Sequence, residues 1–304
     1  MSLLEAILMT VVTASTPLLL AAIGELVTER SGVLNLGVEG MMVMGAACAF
    51  AAAIVTDSTA LGILAGVLAG MAMALAFGVM TLLFAANQVA SGLALTILGL
   101  GLSGLIGAGF VGTRRDPMPK LDIPVLTDIP FVGPLIFGQD VFVYASFALA
   151  AGVSWFLWRT RAGLTLRAIG ENQVSAHALG HPVIRTRFLA VLFGGGCAGL
   201  AGAYLSLAYT PFWVTGMTAG RGWIALALVV FSSWLPGRAI IGAYLFGAVS
   251  ILQLHAQGAG IGVPSQLMSA LPYIATIVVL VLISGARARG RAPGSLGIPF
   301  VPDR

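Results

Sequence analysis

The 304-residue chain has few of the residue types that carry covalent, metal or nucleotide chemistry. Only 9% of its residues are charged, and it contains two cysteines, three histidines and a single lysine, Lys120. Cys48 and Cys197 form no C-x-x-C pair, so neither a disulfide framework nor a zinc site is predicted. A P-loop needs a lysine that follows a glycine-rich turn, and Lys120 follows a proline. These absences exclude an ATPase and argue against a membrane enzyme.

Hydrophobic residues, by contrast, make up 59% of the chain, and the mean hydropathy is +1.02. A soluble domain has roughly 45–50% apolar residues. Several apolar runs reach the ~20 residues that a helix needs to cross a membrane, and the short alternating strands of an outer-membrane barrel are absent. The first basic residue is Arg30, so the opening apolar run lacks the basic start of a signal peptide and is expected to remain as a membrane helix. We therefore predict an all-α polytopic membrane protein.

The apolar runs predict nine membrane segments in a single transmembrane domain, residues 1–286, followed by a tail at 287–304. The seventh segment is short, and a broken or re-entrant helix there is an open alternative. The segments fall roughly at 3–24, 40–56, 60–84, 89–111, 140–158, 187–208, 222–236, 239–256 and 269–286.

The basic residues predict the orientation. Five arginines stand against one acid, Glu171, in the loop 159–187, and arginine-rich short loops stay on the cytoplasmic side. This assignment places the N-terminus outside and the C-terminus and tail inside, with eleven of the 15 basic residues on the inner side. Because the basic residues lie in flanking loops, the net charge of +4 does not indicate a nucleic-acid partner. The four outer basic residues would be Arg114, Arg115, Lys120 and Arg221.

The longest outer connection, 112–139, contains five prolines and cannot form a long helix. A lid or docking surface and a plain connecting loop are both open interpretations of it. The stretches 58–113, 188–220 and 239–286 carry no charged residue apart from His255, which disfavours a proton-driven transporter. A sodium site built from carbonyls and hydroxyls stays possible. A stand-alone secondary transporter is therefore one of the functions that the sequence leaves open.

Polar groups at the ends of apolar helices must face protein or a water-filled cavity, and they predict the translocation pathway. Asn35 and Glu39, four residues apart, are expected on one helix face, although both could also lie in a wet interfacial segment. Asn87 and Gln88 could instead be hydrogen-bond partners between helices, and Trp213, like Trp223, is expected to anchor at the interface. The predicted pathway residues are Asn35, Glu39, Asn87, Gln88, Ser91, Trp223, Ser232 and Gln253.

Five segments together resemble the permease subunits of ATP-binding-cassette (ABC) importers. The resemblance is strongest to the nucleoside/simple-sugar branch of the branched-chain amino acid and ribose permease superfamily, and it spans about residues 1–284. The chain departs from that branch near Thr96 and in the turn 232–235, where asparagines are common. The resembling segments are GVLNLGVEGMMVMGA, NQVASGLAL, RAIGENQVSAHALG, GMTAGRGWIALALVVF and LPYIATIVVLVLIS, in that order.

The resemblance implies a type II-like ABC importer fold in the bacterial cytoplasmic (inner) membrane. It also implies a cytoplasmic ABC ATPase, a second homologous permease subunit and an external substrate-binding lipoprotein. This chain would hold no cofactor, and ATP would be used by the ATPase. The implied substrate is an uncharged nucleoside, with a simple sugar or a branched-chain amino acid as alternatives.

In the resembling family, the segment that matches Glu171–Gly180 is the coupling helix that contacts the ATPase. The residues agree with this role, because Asn172 can cap a helix start and Gly180 followed by Pro182 can end one. Val174, His177 and Ala178 would share one face. The predicted coupling residues are Glu171, Asn172, Val174, Ser175, Ala176, His177, Ala178, Leu179 and Gly180.

Overall fold

The computed structural model describes residues 3–121, 132–258 and 292–302, with single positions between 124 and 130 and between 264 and 281. Within these residues the chain is helical, and seven helices are long and apolar enough to cross a membrane. Two of them continue past an α-helical body into a π-helical turn, at Val79–Leu83 and Leu205–Tyr209. The α-helices are α1 Leu3–Arg30, α2 Val38–Thr56, α3 Thr59–Gly78, α4 Gln88–Gly107, α5 Val132–Phe137, α6 Val141–Arg159, α7 Arg161–Glu171, α8 Gln173–Ala178, α9 Val183–Tyr204, α10 Arg221–Phe231 and α11 Pro236–Gly258.

The seven long helices match seven of the predicted segments, but the segment predicted at 222–236 is different. Its helix, α10, has only 11 residues. At 1.5 Å per residue it is about 16 Å long, roughly half of the ~30 Å apolar core of a bilayer. The broken-helix alternative is therefore the one that agrees with the structure at this place. The ninth predicted segment, 269–286, lies outside the continuously described residues, and so do residues 287–291 and 303–304 of the tail.

The predicted inner loop 159–187 is largely helical, which its arginine content did not reveal. Thr160 caps α7 by accepting a hydrogen bond from the Gly163 amide at 3.0 Å. The buried residues of α7 are Gly163, Leu166, Ile169 and Gly170, spaced as on one helix face. The helix is thus amphipathic, and it packs on the ends of α1 and α6.

Helices α1, α2, α3 and α9 form the centre of the molecule, and small residues let their backbones meet. A Cβ atom added to Gly45 of α2 would lie 2.5 Å from the Cα atom of Gly199 in α9. Gly70 of α3 approaches the carbonyl of Gly195 in the same way. Close packing through small residues is the usual means of helix association in membranes, where apolar helices gain nothing by hiding from water.

The described part of the connection 112–139 packs on the opposite end of the molecule from α7 and α8. Arg115 donates to the carbonyl of Ala53 at the end of α2, and its Nη2 atom lies 3.7 Å from the carboxylate of Asp57. Isolated β-bridges also pair the backbone of Val111 with Trp213 and that of Arg114 with Phe212. The described part of this connection contains one short helix, α5, which agrees with the prediction that no long helix forms here.

We expect Gly45→Ala to destabilise the protein, because its methyl group would meet the α9 backbone. Overpacking of this kind costs about 1–3 kcal/mol, so the midpoint of thermal unfolding in detergent should fall. Gly101→Ala is the matched control, since nothing lies within 4 Å of a Cβ atom at that position in α4. Equal midpoints for the two variants would contradict the packing described for α2 and α9.

Candidate translocation and coupling site

The helix α10 begins inside the molecule and is held there by one carboxylate. Glu39, in the first turn of α2, accepts hydrogen bonds at Oε1 from the Thr218 hydroxyl, at 2.6 Å, and from the Gly220 amide, at 2.9 Å. Its Oε2 atom accepts from the Gly222 amide at 2.6 Å. Glu39 is 4% exposed, so these bonds form in a buried place.

This arrangement gives hydrogen-bond partners to two groups that would be costly to bury alone, the Glu39 carboxylate and the first amides of α10. The first amides of a helix have no partner within the helix, and the N-terminus carries a partial positive charge that favours an anion. The carboxylate in turn gains three donors. A broken helix is tolerated at membrane depth only where its free backbone groups find partners of this kind.

The position of Glu39 corrects one prediction. Asn35 does not share a helix face with Glu39, because α2 begins only at Val38 and Asn35 lies in the connection before it. Arg221, predicted on the outer side, is the first residue of α10, beside Gly220 and Gly222. Its guanidinium donates to the carbonyls of Met217 and Thr218.

The other end of α10 is fixed to the end of α1. The indole nitrogen of Trp234 donates to Glu29 Oε2 at 2.5 Å, and Arg30 donates twice to the Trp234 carbonyl, at 3.1 and 2.9 Å. Ser233 and Trp234 have φ angles of 51° and 56°, a left-handed conformation that costs non-glycine residues free energy. The bonds from α1 therefore hold a strained turn between α10 and α11.

The connection between α1 and α2, residues 31–37, joins this region to the start of α4. The Leu34 amide donates to Gln88 Oε1 at 2.8 Å, and the Thr96 hydroxyl donates to the Leu36 carbonyl at 3.0 Å. Asn35 donates from its backbone amide to Glu25 Oε1 at 3.2 Å. The Gln88 Nε2 atom is buried and has no hydrogen-bond partner in the described part of the chain.

The structure brings some of the predicted pathway residues together and separates others. Asn35, Glu39 and Gln88 lie around the α1–α2 connection, and Trp223 follows Gly222 on α10. Ser91 is buried one turn after the start of α4, whereas Asn87 is exposed and caps that helix. Two residues lie elsewhere: Ser232 is buried in the turn after α10, and Gln253 is half-buried on α11.

Two residues of the sequence analysis occupy unexpected positions in the core. Trp213 is only 1% exposed, and its indole lies against Gly107 of α4, so it is a core residue and not an interfacial anchor. Arg187 was counted with the exposed arginines of the inner loop, yet it is completely buried at the start of α9. Charge counting cannot distinguish a solvated arginine from one that bonds to buried carbonyls.

The segment predicted as a coupling helix, Glu171–Gly180, contains α8; the predicted cap Asn172 and the predicted stop Gly180 flank this helix, but Glu171 is the last residue of α7. Asn172 Oδ1 accepts from the Ser175 amide at 2.9 Å, and Gly180 ends the helix at φ +84°. Val174, His177 and Ala178 are exposed, as a docking face requires. Val174 and Leu179 are 67% and 78% exposed, so apolar surface points away from the molecule here.

Gln173 was missing from the predicted coupling residues, although it anchors α8. Its backbone amide donates to Ser295 Oγ at 3.0 Å, and its side-chain Nε2 donates to the Pro299 carbonyl at 3.2 Å. The ring of His177 lies 5.3 Å from that of Phe300. The segment 292–302, which the sequence indicated only as a tail, is thus packed on α8. No local pattern marks such a contact between residues more than a hundred positions apart.

The comparisons with known proteins identify the family. Residues 7–295 match the family of the permease component of branched-chain amino acid transport systems. This chain belongs to that family. It is a multi-pass membrane protein and a transport subunit of an ABC importer, and the ATPase is a separate chain.

Two relatives and one solved structure agree with this assignment. The chain is 43% identical to TsgC13 of Haloferax volcanii, provisionally named a glucose ABC transporter permease protein, over 92% of each chain. It is 32% identical to the guanosine ABC transporter permease protein NupQ of Bacillus subtilis, over 94% of this chain and 93% of NupQ. An inward-facing ABC transporter, provisionally assigned to the metal-chelate type, shares the fold with a TM-score of 0.52 at 16% identity, over 91% of this chain and 85% of that one.

We expect Glu39→Gln to lower the thermal stability of the purified permease. A glutamine amide would point an N–H group at a backbone N–H group, leaving a buried donor unpaired at a cost of about 1–3 kcal/mol. Asp57→Asn is the control, because the side chain of Asp57 is fully exposed and the change should stay within about 0.5 kcal/mol. If both variants unfold at the wild-type temperature, Glu39 does not hold the start of α10.

Proposed function

We propose that this permease subunit carries an uncharged nucleoside into the cytoplasm, driven by a separate ABC ATPase. The guanosine permease NupQ, which matches along nearly its whole length, supports this substrate class. The apolar, nearly uncharged helices agree with an uncharged cargo but do not distinguish one such cargo from another. In importers of this kind the external binding protein makes most of the selection.

A hexose such as glucose is the second candidate. The relative TsgC13, whose name refers to glucose, has the higher sequence identity, 43% against 32%. A sugar and a nucleoside share a ring that bears hydroxyl groups, so one polar pathway could carry either. The branched-chain amino acid in the family description is the third possibility, and it would bring two charges into a pathway that offers few partners for them.

The proposed assembly contains a second homologous permease subunit, a cytoplasmic ATPase and an external binding lipoprotein, in the bacterial inner membrane. We place α7, α8 and the segment 292–302 on the cytoplasmic side. The arginines at 159, 161, 167 and 185 support this orientation through the positive-inside rule. A groove of about 310 Å³ beside α8, lined in part by His177, Phe300 and Pro302, supports a docking role for the same face.

We further propose that the pathway passes the α1–α2 connection and the start of α10. Transporters commonly place their substrate where a helix is interrupted, because free backbone groups and half-helix ends can bind polar groups there. The unpartnered amide nitrogen of Gln88 adds a donor at this place. Asn35, Glu39, Ser91 and Trp223 complete this part of the pathway, whereas Asn87, Ser232 and Gln253 would contact the substrate at other points.

The complete transporter, purified and reconstituted in vesicles, tests the function. ATP is supplied on the side of the vesicle membrane that carries the ATPase subunit. Radiolabelled guanosine should then accumulate on that same side, and the accumulation should persist when ionophores abolish ion gradients. Glucose is assayed in parallel to decide between the two substrate classes. Uptake that needs an ion gradient and no ATP would instead establish a secondary transporter and refute the proposal.

We expect Val174→Asn to weaken binding of the ATPase subunit about tenfold, which corresponds to about 1.4 kcal/mol. Val174 is 67% exposed on α8, and an apolar side chain at the centre of an interface loses its partner contacts when it becomes polar. Val55→Asn is matched in residue type and exposure, at 75%, but lies at the opposite end of the molecule. Binding measured by titration in detergent should be unchanged for this control, and equal losses would show that α8 is not the docking face.

A further inference from the structure

The helix α8 is too short to keep its own orientation. It has six residues, of which only Gln173 and Ala176 are buried. Isolated helices of this length are unstable in water, so an element this small takes its position from what it is attached to. The attachments of α8 therefore determine which part of the membrane domain moves when α8 is displaced.

The segment 292–302 supplies several of these attachments. Ser295 Oγ accepts from the Gln173 amide at the start of α8, and the Ser295 amide donates to the Gly170 carbonyl at the end of α7, at 2.8 Å. Ser295 is 4% exposed, so both bonds are shielded from water. Phe300 packs on the small apolar cluster of Ile169, Ala176 and Val183. Ser295 and Phe300, near the two ends of the segment, thus hold the α7–α8 junction and one face of α8.

The same segment also contacts the α1–α2 connection. The Gly297 amide donates to the Gly32 carbonyl at 3.2 Å. The buried guanidinium of Arg187 donates from Nε to the Ser31 carbonyl at 3.0 Å and from Nη1 to the Ile298 carbonyl at 3.3 Å. A buried cation without partners is costly, so Arg187 stabilises the structure in which the Ser31 and Ile298 carbonyls both accept its hydrogen bonds. The guanidinium of Arg187 thus joins the segment 292–302 to the α1–α2 connection.

We propose that the segment 292–302 is a mechanical link between the coupling helix and the membrane interior. It transmits a displacement of α8 to residues 31–37, and from there to Gln88 through the Leu34 amide. This proposal rests on the proposed function, since it assumes that an ATPase moves α8. Ser295 is then a positioning residue, which acts through Gln173 and touches neither the substrate nor the ATPase.

The test compares three variants of the complete transporter. Ser295→Ala removes the acceptor of the Gln173 amide, and Ser295→Thr restores a hydroxyl. Val301→Ala is the control, since the side chain of Val301 is 39% exposed on the same segment. We expect Ser295→Ala to keep the bound ATPase subunit and its basal hydrolysis while lowering uptake per ATP at least about fivefold, the lower end of typical coupling between two sites. Ser295→Thr should recover most of the loss, and Val301→Ala should resemble the wild type.

Hydrogen exchange separates this proposal from the proposed function, because it needs no transport. In Ser295→Ala the amides of residues 173–178 and 31–34 should both exchange faster, by a similar factor, while those of α2 stay protected. Faster exchange in α8 alone would overturn the link, as would uptake per ATP equal to the wild type. Loss of the ATPase subunit from Ser295→Ala would overturn it too, by showing that the segment docks the ATPase. If the wild-type transporter imports neither guanosine nor glucose, the proposed function fails, while the exchange experiment still decides the link.

Discussion

The bonds of Glu39 are the constraint on which the centre of this molecule depends. A helix that starts inside a membrane protein exposes amides that have no water to bind. Glu39 provides two oxygens for three donors at the start of α10, and the dipole of α10 stabilises its charge. Without such an anion, the first amides of α10 would need other partners to stay buried.

The fixed half-helix organises the residues around it. Its start is held by α2, and its end is held by Glu29 and Arg30 of α1. These two helices are joined by the connection 31–37, which also binds the beginning of α4 through Gln88. Three membrane helices and the break thus meet at one connection, so a small shift of that connection changes contacts on all of them. This connection lies on the proposed translocation pathway.

The proposed coupling helix α8 is joined to the α1 end of the same connection through the segment 292–302. Gly32 contacts the segment 292–302, and Gly170 at the end of α7 lies against the carbonyl of Arg30. The distance from the surface of α8 to the membrane interior is therefore bridged by packed backbone and buried hydrogen bonds. Surfaces packed this closely move as units, which is what transmission between an ATPase and a pore requires.

The sequence by itself determined the membrane class, most of the helix ends and the form of α8. Apolar length, cap residues such as Asn172 and the terminating Gly180 act locally, so they can be recognised without knowing the fold. Tertiary structure alone decided that Glu39 binds α10, that Arg187 is buried and that Gln173 meets Ser295. Each of these contacts joins residues more than a hundred positions apart, and a polar residue looks the same in sequence whether water or a distant backbone is its partner. Local sequence determined the helices, whereas the site was determined by hydrogen bonds between buried polar groups that are distant in the chain.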